Sequence, residues 1–359
     1  MSDPISHLLK GNALNRLSFH SAVAALVVPA AAVAAVAVAS AVPASASAAS
    51  GPIVTDVHTV VSFDYATTGQ TPESFTVSPG RSLTVSMLGF FTHQPPELLH
   101  VSPSGQQTVL VTGSAGEAIS GIVRVRDGSV YYDMISADPA RNGIWRLPPG
   151  GAPELIAATP GAFLNGLTID PATQTLYACD SSAGTIWSAP ASGGTATQWL
   201  ASPALAPAQP GPGHLGVNGV TFHQGAVWAD NTDNGTLLRI PVTGTGAPGP
   251  VQVVASGLPG ADDFNFLSAR SDIAFVPLNG PDEVAVVYPD GRSQVVLTAA
   301  DGLASPSDTY IRGTRLYIAD SGRLTPHDSE IQEARINLAA LLQAGGASDG
   351  LGGTFKKGG

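Results

Sequence analysis

The chain has 359 residues, 27 of them acidic and 16 basic, for a formal net charge of −11. That balance argues against nucleic acid and anionic membranes as partners. With 12% charged and 43% hydrophobic residues, and with 41 Gly and 29 Pro punctuating the chain, the composition excludes disorder and favours one large all-β domain of short strands over two ordinary domains.

Residues 1–48 read as a secretory signal peptide. Lys10 and Arg16 precede the apolar run Ala22–Val42, which ends in the small-residue patterns Ala44-Ser45-Ala46 and Ala46-Ser47-Ala48. A permanent anchor is the rival reading, since the 21-residue run could just span a bilayer, but its alanine richness and the adjoining cleavage pattern favour removal and a secreted, extracellular product. Cleavage after Ala48 would leave 14 basic and 26 acidic residues, a net charge of −12.

The mature chain opens with the strand VHTVVSFD (Val57–Asp64). A repeating unit follows. TLYACDSSAGTIWSAP (Thr175–Pro190) and AVWADNTDNGTLLRIP (Ala226–Pro241) share one pattern: an apolar strand ending at Asp, a turn, and a second strand running to Pro. Weaker copies begin at Ser82, Ser129 and Arg315, and a shortened one spans Glu283–Leu297. Each is preceded by a short strand opened by a small or polar pair: PESFTV, SGIVRV, NGLTID, NGVTFH, SDIAFV and SDTYIR. With Glu73, Gly121, Asn165, Asn218, Asp272 and Asp308 as markers, the steps are 48, 44, 53, 54 and 36 residues. Units of roughly 40–50 residues holding about four strands mark propeller blades. The expected fold is therefore an all-β, six-bladed β-propeller over residues 51–343, with four-stranded blades closed by the N-terminal strand. Residues Ile336–Gln343 read as a last strand or a short helix, and 344–359 as a flexible Gly-rich tail. Cys179, the only cysteine, permits no intramolecular disulfide and reads as a buried small hydrophobe within LYACD.

In a propeller, residues that open the innermost strands converge on one end of the central channel. The expected ring holds Glu73, Asn165, Asn218 and Asp272, with Ser120, Ser307 and Asp308 beside it. Two carboxylates and two amide oxygens suit Ca²⁺, which takes six to eight such ligands. Zinc is disfavoured, because no His or second Cys stands among the markers. Asn-Gly is also a common turn pair, so each marker taken singly could be a turn cap.

With PES, NG, NG and SD in these positions, the mature chain resembles the six-bladed propeller superfamily of senescence marker protein (regucalcin), gluconolactonase, paraoxonase and diisopropylfluorophosphatase. The order Glu, Asn, Asn, Asp is similar to the last two; gluconolactonase-type members commonly have Asp where Asn218 stands. The resemblance implies a catalytic Ca²⁺ bound by Glu73, Asn165, Asn218 and Asp272. It also implies hydrolysis of a lactone or related ester in a small-molecule pocket, with Asp272 as general base or nucleophile, because the asparagines cannot accept a proton. The histidine pair of paraoxonase-like members has no counterpart at Ser120-Gly121. Two alternatives stand beside this one: a non-catalytic propeller scaffold that binds a ligand or protein, and a metal-independent enzyme like strictosidine synthase. A monomer is expected.

Other motifs carry less. GPGHLG (Gly211–Gly216) and GTGAPG (Gly244–Gly249) contain Pro and open no helix, so neither reads as a nucleotide loop. DNTDNG lacks the terminal Glu of a calcium loop. His214 lies in the loop leading to Asn218 and could reach the channel mouth. Asp262-Asp263 could border the pocket, although solvated turn carboxylates are the default reading. His93, His100, His223 and His327 have no paired acid in sequence, and no G-x-S-x-G occurs.

Overall fold

A computed structural model describes residues 51–64, 68–324 and 329–346. The expected signal peptide and most of the Gly-rich tail lie outside them, as does His327. Strand β1 (Val54–Phe63) is followed by blade one, comprising β2 (Pro72–Val77), β3 (Leu83–Met87), β4 (Glu97–Val101) and β5 (Gln107–Thr112). Blade two holds β6 (Ala118–Arg124), β7 (Val130–Ile135), β8 (Gly143–Leu147) and β9 (Glu154–Ala158). Blade three holds β10 (Leu164–Asp170), β11 (Thr175–Asp180), β12 (Thr185–Pro190) and β13 (Thr197–Ala201). Blade four holds β14 (Val217–His223), β15 (Ala226–Asn231), β16 (Thr236–Pro241) and β17 (Gln252–Ser256). Blade five holds β18 (Asn265–Ser268), β19 (Ser271–Leu278), β20 (Glu283–Val287) and β21 (Ser293–Leu297). Blade six takes β22 (Pro306–Arg312), β23 (Arg315–Asp320) and β24 (Ser329–Ile336), and the described chain ends in helix α1 (Leu338–Ala344).

Each blade is one antiparallel four-stranded sheet, and the sixth has the order β1-β24-β23-β22. The N-terminal strand therefore closes the ring, paired from Val54 opposite Ile336 to Phe63 opposite Ser329. Closure leaves no blade of the ring without a neighbour on both sides. The segment after β24 is the short helix α1, capped by the Asn337 side chain, which accepts from the Ala340 N–H.

The period of two along each strand explains why every blade packs on both faces. In β11, Leu176 and Ala178 pack toward blade two while Tyr177 and Cys179 pack toward blade four. In β15, Val227 and Ala229 face blade three, and Ala226 and Trp228 face blade five. Six such apolar clusters, one between each pair of consecutive blades, make up the core. Cys179 is fully buried in one of them, as expected for a small hydrophobe. Among the described residues no helix is long and apolar enough to cross a membrane.

Blade five departs from the expected strand assignment. SDIAFV belongs to β19, the second strand, and the inner strand is the four-residue β18 just before it. The residue opening blade five at the channel is therefore Asp262 or Asp263, and Asp272 is displaced from the series.

Candidate metal centre in the channel

The inner strands β2, β6, β10, β14, β18 and β22 surround the channel. In five of them the pairing with the next strand slips at the marker: between Pro72 and Phe75, Ile119 and Ile122, Leu164 and Leu167, Val217 and Val220, and Pro306 and Asp308. A bulge at the strand start turns a side chain out of the ladder, here toward the channel. The glycine after the marker has a separate cause. A Cβ on Gly166 would lie 2.6 Å from the Asn218 carbonyl oxygen and 2.8 Å from the Val220 nitrogen; one on Gly121 would lie 2.2 Å from the Asn165 carbonyl oxygen. Neighbouring inner strands thus approach backbone to backbone, and the Asn-Gly pair serves ring packing, not a turn.

Glu73, Ser120, Asn165, Asn218 and Arg323 line a cavity of about 50 Å³ walled on its apolar side by Leu88, Phe90 and Phe163. Glu73, Asn165 and Asn218 are all buried. The Asn218 amide is oriented by its partners: Nδ2 donates to Asp262 Oδ1 at 2.8 Å and to Thr232 Oγ1 at 2.9 Å. Thr232 Oγ1 itself donates to the Ala261 carbonyl, so it accepts from Asn218. Asn218 Oδ1 is left buried with no hydrogen-bond partner. Asn165 Nδ2 donates to Ser181 Oγ at 3.3 Å.

Two carboxylates complete the arrangement. Burial raises the Glu73 pKa, opposed by the Arg323 guanidinium, whose Nη1 stands 3.4 Å from Glu73 Oε2. Asp262, 3% exposed, is pushed well above the usual carboxylate range by burial first and then by the charges of Glu73 and Asp263. A buried amide oxygen without a donor and two mutually repelling buried carboxylates each cost free energy, and a hard divalent cation among them would relieve both. The donor set Glu73, Asn165, Asn218 and Asp262 therefore fits Ca²⁺. Among the described residues no group of three or more His, Cys, Asp or Glu side chains has a metal-binding arrangement, so the fit depends on the amide oxygens.

Asp272 is not part of this ring. Its side chain is 41% exposed and Oδ1 meets His223 Nε2 at 3.0 Å and Gln224 Nε2 at 2.7 Å. His223 ends β14 and Asn218 lies near its start; five residues of strand put them about 16 Å apart, so Asp272 belongs to the opposite face. The other named residues have structural partners. Ser120 Oγ donates to the Leu164 carbonyl, and Ser307 Oγ to those of Pro72 and Ala319, stitching inner strands together. His214 Nδ1 pairs with Asp233 Oδ2 at 2.9 Å. Asp308 Oδ2 accepts from Ser74 Oγ at 3.0 Å and from the Phe75 N–H at 2.9 Å. Asp263 lies deeper in the channel, its Oδ1 against Gly166 and Gly219. Both Asp263 and Asp308 are raised well above the usual range, chiefly by burial.

From sequence alone Asp262 reads as a solvated turn residue, and nothing points to Arg323. The irregular 36-residue step was the signal for the first: with Asp262 as marker the steps from Asn218 and to Asp308 become 44 and 46. Arg323 comes from the loop after β23, where no periodicity points to it.

No protein-family model matches the chain, and no curated protein matches its sequence. Solved structures match its fold. An auxiliary nutrient binding protein from Bacteroides ovatus is 12% identical with a TM-score of 0.60, the match covering 78% of this chain and 76% of that one. A provisionally assigned gluconolactonase is 16% identical with a TM-score of 0.57, covering 79% and 92%. Regucalcin from Agrobacterium tumefaciens, a calcium-binding protein, is 17% identical with a TM-score of 0.55, covering 74% and 90%. The chain is a six-bladed β-propeller whose structural neighbours include gluconolactonase and regucalcin, and at these identities the likeness establishes the architecture alone.

Proposed function

We propose that the protein is a calcium-dependent hydrolase of a lactone or related ester, with Glu73, Asn165, Asn218 and Asp262 holding the ion. The observation that carries this reading is the Asn218 amide, both of whose protons are engaged while its oxygen is buried and unpartnered. Bound there, Ca²⁺ would supply charge to polarise a substrate carbonyl. Asp262 takes the proton-accepting role that sequence alone assigned to Asp272: its Oδ1 accepts from Asn218 Nδ2 in the amide ring, and a bound cation would keep its carboxylate ionised and able to accept a proton. Arg323 brings a guanidinium, 13% exposed, to the same cavity and can donate to an anionic oxygen there. Leu88, Phe90 and Phe163 exclude water from one side.

The test is turnover of a panel of γ- and δ-lactones and aryl esters with calcium and after EDTA, in the wild type and in Asp262→Asn. Activity that needs calcium and falls at least a hundredfold in the variant supports the reading; turnover unchanged by both refutes it. One observation favours a second reading. The cavity at the ring, about 50 Å³, is small beside the cavity of about 470 Å³ at the other end of the channel, as in a propeller whose ion braces a ligand-binding scaffold. Calcium binding without turnover of any panel member would select that reading.

Export follows from the expected signal peptide and is part of the proposal. Sequencing the N-terminus of protein recovered outside the producing cells should place it near Ala49, and an intact Met1 would contradict export.

A further inference from the structure

Beyond the ring, the channel widens into a cavity of about 470 Å³. The inner strands line it with residues downstream of their ring positions, such as Phe75, Ile122, Leu167, Val220 and Asn265, so it opens at the mouth opposite the metal centre. Arg124 and Arg126, at and just after the end of β6, and Arg312, the last residue of β22, stand on its wall with Tyr310.

These arginines are unusual within this molecule. Seven of the twelve described arginines pair with a carboxylate; of the five that do not, three line this one cavity. Two are held in place by neutral groups. Arg124 donates from Nη1 to the Gly128 carbonyl at 3.0 Å and from Nη2 to Thr84 Oγ1 at 2.6 Å. Arg312 donates to the carbonyls of Ser78 and Pro79 at 2.7 and 2.8 Å. These contacts orient the guanidinium groups without neutralising them. The neighbouring Asp127 is engaged with Arg146, and the cavity's own acids, Asp263 and Asp308, are buried deep within it. Burial lowers the Arg124 pKa, a sign that its charge is short of compensation. Arg124 is half-buried while Arg126 and Arg312 are exposed at the mouth, so this concave wall offers an anion one partly desolvated guanidinium and two accessible ones.

We propose that this mouth binds a small organic anion. A carboxylate or phosphate sits against Arg124 and Arg126, with Arg312 on the rim of blade six, and a hydroxyl-bearing body reaches toward Ser74, Thr168 and Thr221. Planar guanidinium groups suit both anions, so the source is left to the assay.

Calorimetric titration of the calcium-free protein with D-glucuronate, inorganic phosphate and D-glucose, at low ionic strength, tests the proposal. Glucuronate or phosphate should bind saturably, glucose at least about tenfold more weakly, and the affinity should fall about tenfold or more in Arg126→Ala. Arg126 is exposed and makes no hydrogen bond or ion pair among the described residues, so that variant should fold normally; Arg124→Gln should show the same loss. The tighter of the two anions identifies the group recognised. Absence of saturable binding by either anion overturns the proposal. So does binding unchanged in both arginine variants, or binding lost in Asn218→Ala but retained in Arg126→Ala, which would place the ligand at the ring.

Discussion

Replacing Asp262 by Asn should have opposite consequences without and with calcium. In the metal-free protein Asp262 is buried beside Glu73 and Asp263, and folding either desolvates its charge or keeps a proton on it. Keeping that proton up to pH 7, against an ordinary value of 3.8, costs at most about 4 kcal/mol at 1.36 kcal/mol per pH unit. Asn removes the charge and retains an oxygen to accept from Asn218 Nδ2 in the 2.8 Å contact. Asp262→Asn should therefore be more stable than wild type in EDTA by roughly 1–4 kcal/mol. With calcium at about 100 times its dissociation constant, the wild type should gain about 2.7 kcal/mol, or about 4 °C in a domain of this size, and the variant little. Thermal unfolding of both proteins, in EDTA and in calcium, supplies the four melting temperatures required. A variant less stable than wild type in EDTA, or one stabilised by calcium as much as wild type, would rule out Asp262 as a buried carboxylate ligand.

Three further outcomes are expected. Deleting residues 51–63 exposes the outer edge of β24 and removes the buried side chains Ile53, Val54, Val61 and Phe63. At about 1.5–3 kcal/mol each the loss rivals the whole stability of a domain, so circular dichroism should find the truncated chain unfolded, and a native spectrum would contradict closure through β1. Gly166→Ala places a methyl 2.6 Å from the Asn218 carbonyl oxygen. It should cost about 1–3 kcal/mol in denaturant unfolding, whereas a neutral result would show that the inner strands separate easily. The raised pKa values of Glu73 and Asp262 also set a pH dependence. Because the folded metal-free protein binds more protons than the unfolded chain above the ordinary carboxylate values of 4.5 and 3.8, its stability should fall as pH rises from there through the raised values. Calcium must displace those protons, so its apparent affinity should rise over the same window; a pH-independent affinity would count against carboxylate ligands that share protons.

The propeller was legible because its hairpins repeat a pattern with local physical causes: period-two apolar strands, an Asp at the second strand's end, and a Gly- or Asn-bearing turn. The closing strand was legible as the one strand left without a hairpin. Glu73, Asn165 and Asn218 could be found because a polar residue at the head of an apolar strand needs a reason, and three blades posed the same question. Blade five hid its member. NFLS in β18 is only four residues long and weakly alternating, while SDIAFVPL in β19 reads as the better inner strand. Asp262 therefore passed for a turn residue, since its burial comes from blades distant in sequence. The Arg124, Arg126 and Arg312 cluster was illegible for the same reason, as two blade ends meet only once the ring closes.

The claim that the ring of Glu73, Asn165, Asn218 and Asp262 is a calcium site is tested most directly by calorimetric calcium titration of the wild type, Asn218→Ala and Asp272→Asn at neutral pH. Saturable binding by the wild type, the same binding by Asp272→Asn, and a loss of about tenfold or more in Asn218→Ala are expected. No binding by the wild type, or binding that survives in Asn218→Ala and disappears in Asp272→Asn, would contradict the claim.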